Sequence, residues 1–166
     1  MDLLHFFISP EHNFFGHHGR AAGEHPMLEV ESLDCVAGSG LRGDRFFNYK
    51  PDYKGQVTFF ENGVYEALCA QFNLHDRPAS VFRRNIVTCG IDLKTLIGTV
   101  FELQGVRFQG VEECKPCHWM NQAFCDGAEA ALEGKGGLRA RILTSGMIQL
   151  AAKRPETTRV TEVALS

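Results

Sequence analysis

The sequence contains no long apolar run and no marked excess of charge of either sign. Its 17 lysines and arginines stand against 20 aspartates and glutamates, a formal charge of −3. This balance gives no reason to expect nucleic acid or an anionic membrane surface as a partner. No stretch approaches the run of about 18 apolar residues that a membrane-spanning helix needs. The N-terminus MDLLHFFISPEH does not resemble a signal peptide, so we expect a cytoplasmic protein.

The chain also lacks linkers, internal repeats and low-complexity segments. We therefore expect residues 1–166, with a mass of 18.5 kDa, to form one domain with its own core. Six cysteines without a secretory signal favour reduced thiols. Only Cys114 and Cys117 have a suggestive spacing. The others are interpreted as core or surface thiols: Cys35, Cys69, Cys89 and Cys125.

Many short alternating segments separated by glycines are present. TVFELQGVRFQGV predicts a hairpin with its turn at Gln104-Gly105, and LRARILT predicts a strand with Arg139 and Arg141 on one face. LLHFFIS and HPMLEVESL also read as strands, whereas helical spacing after Asn62, a plausible cap, predicts a helix. The expected fold class is mainly β with flanking helices, an α+β domain built on a curled sheet or barrel.

The segment VEECKPCHWM carries the clearest chemical signal, and its thiol pair has several interpretations. A thiol–disulfide oxidoreductase would use Cys114 and Cys117 together, because a C-x-x-C spacing lowers the pKa of the first thiol and lets the second resolve a mixed disulfide. Thioredoxin-like folds, however, place this motif early in the chain and after a tryptophan. Here it lies two-thirds along the chain, and Trp119 follows it.

A zinc-binding module is the second interpretation. Cys114, Cys117 and His118 are suitable ligand types, but no second ligand pair follows at the usual spacing. Further imidazoles lie in an N-terminal loop, which reads more simply as polar: His12, His17, His18 and His25.

The third interpretation needs only one thiolate. Cys117 is expected where a strand ends and a helix begins, close to Lys115 and His118, which favour the ionised thiol. Pro116 fixes the backbone just before it. Such a thiolate can carry a persulfide or ligate a soft metal. That both cysteines merely pack is the remaining alternative.

Five segments occur in an order that resembles the MOSC domain, the C-terminal module of molybdenum-cofactor sulfurases: GSGLRGDRFF, GQVTFF, RRNIVTCGIDLKTLIG, FQGVEECKPCHWM and GGLRARIL. The resemblance covers about residues 25–150. It implies a MOSC-type β-barrel with flanking helices and a functional role for Cys117, as thiolate ligand to molybdenum or as persulfide carrier. Cys114 would be secondary, either a resolving thiol or a small side chain.

The implied cofactor is the molybdenum cofactor, whose molybdopterin carries a phosphate and a polar heterocycle. Cationic forks and hydrogen-bonding groups are needed to hold it. Arg84 and Asn85 match the family's R-N element best, and His17 and His18 are candidates for the mouth of the pocket. The full set of expected cofactor-binding residues is Arg45, Arg83, Arg84, Asn85, Lys115, Arg139 and Arg141.

The resemblance leaves two roles open. As an enzyme, the protein would be a molybdenum-dependent oxidoreductase, for example one that reduces N-hydroxylated compounds. As a carrier, it would transfer sulfur or cofactor without turnover of its own. Its chain shows no pyridoxal-phosphate desulfurase domain, so an electron-donor or sulfur-donor protein, such as one of cysteine desulfurase type, is the expected partner. SGMIQLAAKRPETTRV lacks the family's glycine-aspartate turn, so the last strand is expected to differ.

Overall fold

The computed structural model describes residues 1–13, 21 and 23–151. Short strands predominate over short helices in these ranges. The strands are β1 (Asp2–Ile8), β2 (Leu28–Val30), β3 (Ser32–Val36), β4 (Gly40–Leu41), β5 (Val57–Glu61), β6 (Ile86–Cys89), β7 (Val100–Leu103), β8 (Val106–Glu113), β9 (Leu138–Ile142) and β10 (Gly146–Gln149). The helices are α1 (Asn62–Phe72), α2 (Trp119–Ala123) and α3 (Ala128–Ala131), with 3₁₀ turns at Ala79–Phe82 and Leu93–Leu96.

Two sheets organise the described part of the chain. Seven of its strands form a curled half-barrel in the order β2-β1-β6-β5-β9-β8-β7, and three form a smaller sheet in the order β10-β3-β4. Neighbouring strands are antiparallel except for β5 and β6, which are parallel and are connected through α1. The predicted mainly β class with flanking helices is confirmed.

Strand β5 separates two apolar cores. Successive side chains of a strand point to opposite faces, so Phe59 packs into a core shared by both sheets, whereas Phe60 packs beneath the helices. Leu33 and Ile148 bring the smaller sheet into the first core. Met120 of α2 and Ala128 next to it in α3 belong to the second. The helical layer is therefore held against the sheet by one face of β5.

The strongest local patterns of the sequence are confirmed. β7 and β8 form the predicted hairpin, and Gln104 and Gly105 have φ values of 51° and 84°. Two successive positive φ values are characteristic of the tight turn that suits twisted strands. β9 alternates as predicted, with Ala140 and Ile142 buried and the two arginines more exposed.

Two local predictions are wrong. HPMLEVESL forms two strands, because β2 pairs with β1 in the large sheet while β3 pairs with β10 in the small one, and the chain bends at Glu31 between them. Helix α1 is capped by Glu61, whose carboxylate accepts from the Val64 N–H at 3.2 Å. Asn62 does not cap, since its amide donates to Glu66 at 2.8 Å.

None of the helices in residues 1–13, 21 and 23–151 is long and apolar enough to cross a membrane.

Gly110 provides a test of this packing. A Cβ at this position of β8 would collide with the backbone carbonyl of Leu96, whereas a Cβ at Gly105 would meet nothing within 4 Å. We expect Gly110→Ala to lower the free energy of unfolding by about 3 kcal/mol, as overpacking does. Gly105→Ala should lower it by only about 1–2 kcal/mol, the cost of a positive φ. Urea unfolding of both variants measures the difference, and equal losses would contradict the close approach of Leu96 to β8.

Candidate functional site

A cavity of about 240 Å³ brings the cysteine segment together with a cluster of cations. Both Cys114 and Cys117 line it. The cationic side chains in its wall are Arg45, Arg83, Arg84, Lys115 and Arg139. The structure therefore places six of the sequence-predicted site residues, five cations and Cys117, around one space.

The two cysteines are held between a strand end and a helix start, as expected. β8 ends at Glu113, and the Cys114 N–H donates to the Gly137 carbonyl at 2.8 Å. The Cys117 carbonyl accepts from the Met120 N–H at 2.8 Å, which begins the turn of α2. Cys114 is buried, with 4% exposure, whereas Cys117 is only partly buried. A reagent entering from solvent therefore meets Cys117 first.

Arg84 fixes the backbone of this site. Its Nε donates to the Gly136 carbonyl at 2.9 Å, its Nη1 to Phe82 at 3.0 Å and its Nη2 to Cys114 at 2.9 Å. All three nitrogens are thus committed to backbone carbonyls. Gly136 is required here as well, because a Cβ on it would collide with the Cys114 carbonyl. Arg84 and Gly136 together determine where the cysteine segment lies.

Arg83 anchors the N-terminal segment to the cavity. Its guanidinium donates to the carbonyls of His25 and Glu11, each at 2.8 Å, and to the Ser9 hydroxyl at 2.9 Å. Arg45 forms a buried ion pair with Asp44 at 3.2 Å and donates to the Arg83 carbonyl at 3.0 Å. These arginines therefore build the wall of the site as well as charging it.

The positive charges in the wall repel one another, which makes the protonated form of each arginine less favourable. Burial lowers the pKa of Arg45, the ion pair with Asp44 opposes this only in part, and the charge of Arg84 adds to the lowering. Burial and the nearby Arg45 lower the pKa of Arg83 to about 10, again against the effect of Asp44. Both guanidinium groups remain protonated near neutral pH. An anion in the cavity would relieve this crowding of positive charge.

Arg139 is the cation whose pKa is most clearly affected by Cys114. Its Nη1 donates to the Glu112 carboxylate at 3.2 Å, and it lines the same cavity as Cys114. Burial lowers the pKa of Arg139, but Cys114, Tyr53 and Glu112 raise it by more, so that the net shift is upward. Cys114 is therefore coupled electrostatically to a partly buried cation.

Two predicted binding residues lie away from the cavity wall. Asn85 is buried and accepts from the Thr58 N–H at 3.0 Å while its amide donates to Phe7 and Asp44. Arg141 shares a strand face with Arg139, as predicted, but pairs with Asp52 at 2.8 Å. Asn85 therefore lies behind the cavity wall and holds Thr58, which lines it, in place. His17 and His18 lie outside the described residues.

Sequence reasoning missed the aromatic part of the wall. Phe46 and Tyr53 both line the cavity and stack with ring centroids 5.2 Å apart. The His12 ring meets Phe46 edge-on at 4.8 Å, and burial together with Arg45 lowers the pKa of His12. The signal was the density of aromatics in RFFNYKPDY, which is visible in the sequence but has no spacing that identifies a wall. These rings offer flat surfaces to a planar ligand.

A zinc site and a second cavity fit the structure less well as the functional site. No group of three His, Cys, Asp or Glu side chains stands close enough to hold a metal ion anywhere in the described ranges. A larger cavity, of about 440 Å³, lies between α1 and the 3₁₀ turn Leu93–Leu96, but among described residues neither cysteine nor arginine lines it. Of these two cavities, the smaller is the candidate site because its described wall combines thiols with crowded cations.

The protein thus has a mainly β fold and a cavity in which a cysteine lies among cationic side chains. A family model for the MOSC domain matches residues 35–153, so the chain belongs to the MOSC family. This family is associated with binding of the molybdenum cofactor. The expectation drawn from five sequence segments is thereby confirmed.

Solved structures agree on the fold. The YuaD protein of Bacillus subtilis is 13% identical, with a TM-score of 0.66 over 87% of this chain and 88% of that one. YiiM from Escherichia coli is 18% identical, with a TM-score of 0.62 over 90% of this chain and 66% of YiiM. YiiM from Geobacillus stearothermophilus is 12% identical, with a TM-score of 0.64 over 89% and 70%. Among curated proteins, none matches the sequence significantly.

Replacing Arg84 tests its role in holding the site. Lys cannot reach three separate carbonyls, and each buried carbonyl left without a donor costs about 1–3 kcal/mol. We therefore expect Arg84→Lys to lower the free energy of unfolding by at least about 2 kcal/mol. Arg77→Lys, at an exposed pair with Asp76, should change it by less than about 0.5 kcal/mol. Denaturant unfolding compares the two, and similar effects would show that the Arg84 contacts are not structural.

Thiol labelling tests which cysteine the site activates. Burial and Asp2 raise the pKa of Cys89, and burial and Asp126 raise the pKa of Cys125. Each unit of increase lowers the thiolate fraction at pH 8 about tenfold. Because Cys117 lines a cavity with five cationic side chains, we expect iodoacetamide at pH 8 to label it before either of these two, although all three are partly exposed. Peptide mass spectrometry over time gives the order, and faster labelling of Cys89 or Cys125 would argue against an activated Cys117.

Proposed function

We propose that this protein binds the molybdenum cofactor and that Cys117 is its functional thiolate, either as a ligand to molybdenum or as the carrier of a persulfide sulfur. The observation that carries the proposal is the convergence of a partly exposed cysteine and five cationic side chains on one cavity. Membership of the MOSC family supports the choice of ligand.

The donor set fits such a group chemically. A thiolate is a soft ligand suited to a metal of this kind, and cationic forks suit a phosphate. The stacked rings of Phe46 and Tyr53 suit a planar heterocycle. The cavity of about 240 Å³ is smaller than the roughly 300–1,000 Å³ of typical ligand pockets. It would therefore hold part of the cofactor, and the remainder would lie across its mouth.

The cations divide by their availability to a ligand. Arg84 has each of its nitrogens engaged with a backbone carbonyl, so it shapes the cavity. Lys115 is exposed and makes no side-chain hydrogen bond to any described residue, and Arg139 keeps part of its fork beyond its contact with Glu112. We assign anion contact first to Lys115 and Arg139, with Arg45 and Arg83 supplying the surrounding positive potential.

When bound, the metal supplies two-electron oxygen-atom chemistry, such as the reduction of N-hydroxylated compounds. The chain contributes the thiolate, the cations and a wall in which Cys114 is buried. As a sulfur carrier, the same Cys117 would instead receive sulfur from a donor protein of cysteine desulfurase type and pass it on. An electron-donor or sulfur-donor partner belongs to either version of the proposal.

Metal analysis of matched variants tests the proposal. The protein is purified without oxygen from a host rich in the cofactor, and molybdenum and zinc are measured per chain. We expect near-stoichiometric molybdenum in the wild type and in Cys114→Ser, and almost none in Cys117→Ser, since only Cys117 is the proposed ligand. Cys125→Ser, which removes a partly exposed thiol elsewhere, is the control.

The carrier version has a separate signature. It predicts little retained molybdenum and a cyanide-labile sulfur that is lost in Cys117→Ser. Stoichiometric zinc, or equal losses in Cys114→Ser and Cys117→Ser, would contradict both versions. Turnover with an artificial electron donor distinguishes the enzyme from the carrier.

A further inference from the structure

The larger cavity, of about 440 Å³, is a separate space from the one that holds the thiols. Among the described residues, none lines both cavities. The volume of the larger one falls within the roughly 300–1,000 Å³ of typical ligand pockets. The proposed function does not use this cavity, so its own wall has to indicate what it can hold.

One part of this wall is apolar. Val64 of α1 lines the cavity together with Ile91, Leu93 and Ile97. Leu93 is buried, Val64 and Ile91 are partly buried, and Ile97 remains 39% exposed. The apolar side chain of a ligand would cover these groups, and burial of apolar surface is the main favourable term in most association.

Two lysines add positive charge that no described residue neutralises. Lys94 and Lys135 line the cavity, and neither side chain forms an ion pair or a hydrogen bond with a described residue. The Lys94 Nζ atom lies 3.7 Å from the place where a Cβ on Gly134 would stand. Lys94 therefore reaches the loop that carries Lys135. A ligand carboxylate suits such a pair of ammonium groups, because charged hydrogen bonds of this kind are strong.

The carboxylates in the same wall are each engaged through one oxygen. Glu113 Oε1 accepts from the Gly136 N–H at 3.1 Å, and Glu61 Oε2 accepts from the Val64 N–H at 3.2 Å. Asp92 Oδ1 accepts from a backbone N–H of the 3₁₀ turn at 3.0 Å. The second oxygen of each carboxylate forms no hydrogen bond with a described residue. These oxygens can accept from the ammonium group of a ligand.

Opposite charges meet at the loop 134–137. Lys135 belongs to this loop and Lys94 reaches it, while Glu113 accepts from one of its backbone N–H groups. A simple anion would be repelled here by the carboxylates, and a simple cation by the two lysines. A ligand that carries an ammonium group and a carboxylate close together matches both sets of charges.

We propose that the larger cavity binds a free α-amino acid with an apolar side chain. Lys94 and Lys135 bind its carboxylate, and Glu113 binds its ammonium group. Its side chain lies against the apolar wall that begins at Val64. This inference goes beyond the proposed function and does not depend on Cys117.

NMR titration of the isotope-labelled protein tests the proposal, with L-leucine, L-methionine and L-phenylalanine as probes. We expect saturable shifts of the backbone amide signals of Gly134, Gly136 and Gly137, and no comparable shifts around Cys117. Three analogues of leucine isolate its parts: isocaproate lacks the ammonium group, isopentylamine lacks the carboxylate and glycine lacks the side chain. Each should bind at least about tenfold more weakly than L-leucine, because each loses a charged or an apolar contact.

Two variants assign the charges. Lys94→Gln removes one ammonium group, so it should bind L-leucine about tenfold more weakly and lose most of the preference over isopentylamine. Glu113→Gln keeps an acceptor for the Gly136 N–H and should instead lose most of the preference over isocaproate. Arg107→Gln removes an exposed cation that does not line this cavity, and it is the matched control.

The inference fails if none of the three amino acids gives a saturable shift, or if any analogue binds as tightly as L-leucine. It also fails if Lys94→Gln binds like the wild type, or if the shifts centre on Cys117. Cys117→Ser should retain full binding of L-leucine. This result and the molybdenum content of the same variant separate the present inference from the proposed function.

Discussion

The guanidinium of Arg84 joins three backbone segments that are distant in sequence. It bonds the carbonyl of Phe82 in its own turn, that of Cys114 after β8 and that of Gly136 before β9. A buried cation needs such partners because its desolvation is otherwise costly. In return, the three carbonyls are satisfied in a place that water does not reach. The cysteine segment has a defined position in this protein because these requirements are met together.

The large sheet positions the backbone segments that the Arg84 hydrogen bonds connect. β5 lies between β6 and β9, so the turn that precedes β6 and the loop that precedes β9 are both brought to it. Asn85 secures the first of these by bonding Thr58 of β5, and Gly137 the second, since a Cβ there would collide with the Phe59 carbonyl. The apolar cores on either face of β5 hold the strand itself. The site is therefore assembled on the most buried strand of the large sheet.

The cavity concentrates positive charge at a cost to stability. Arg45 and Arg83 are crowded enough that their pKa values are lowered, chiefly by burial, and one buried carboxylate, Asp44, offsets this only in part. A wall built for folding alone would use apolar side chains. The arrangement is understandable when a negatively charged ligand supplies the missing counter-charge, because the crowding then contributes to binding.

The sequence alone determined the features that depend on local pattern: the β7–β8 hairpin, the alternation of β9, the mainly β class and the family, with Cys117 at the junction of strand and helix. Only the tertiary structure decided which arginines build the wall and which remain available, since Arg84 finds its Gly136 partner 52 residues away. It also assigned β2 and β3 to different sheets, moved the cap of α1 to Glu61 and placed Cys114 and Arg139 in the wall of one cavity. The physical reason is the same in each case. Alternation and turn chemistry act between neighbouring residues, whereas the partner of a buried polar group is chosen by whatever backbone the fold brings within hydrogen-bond distance.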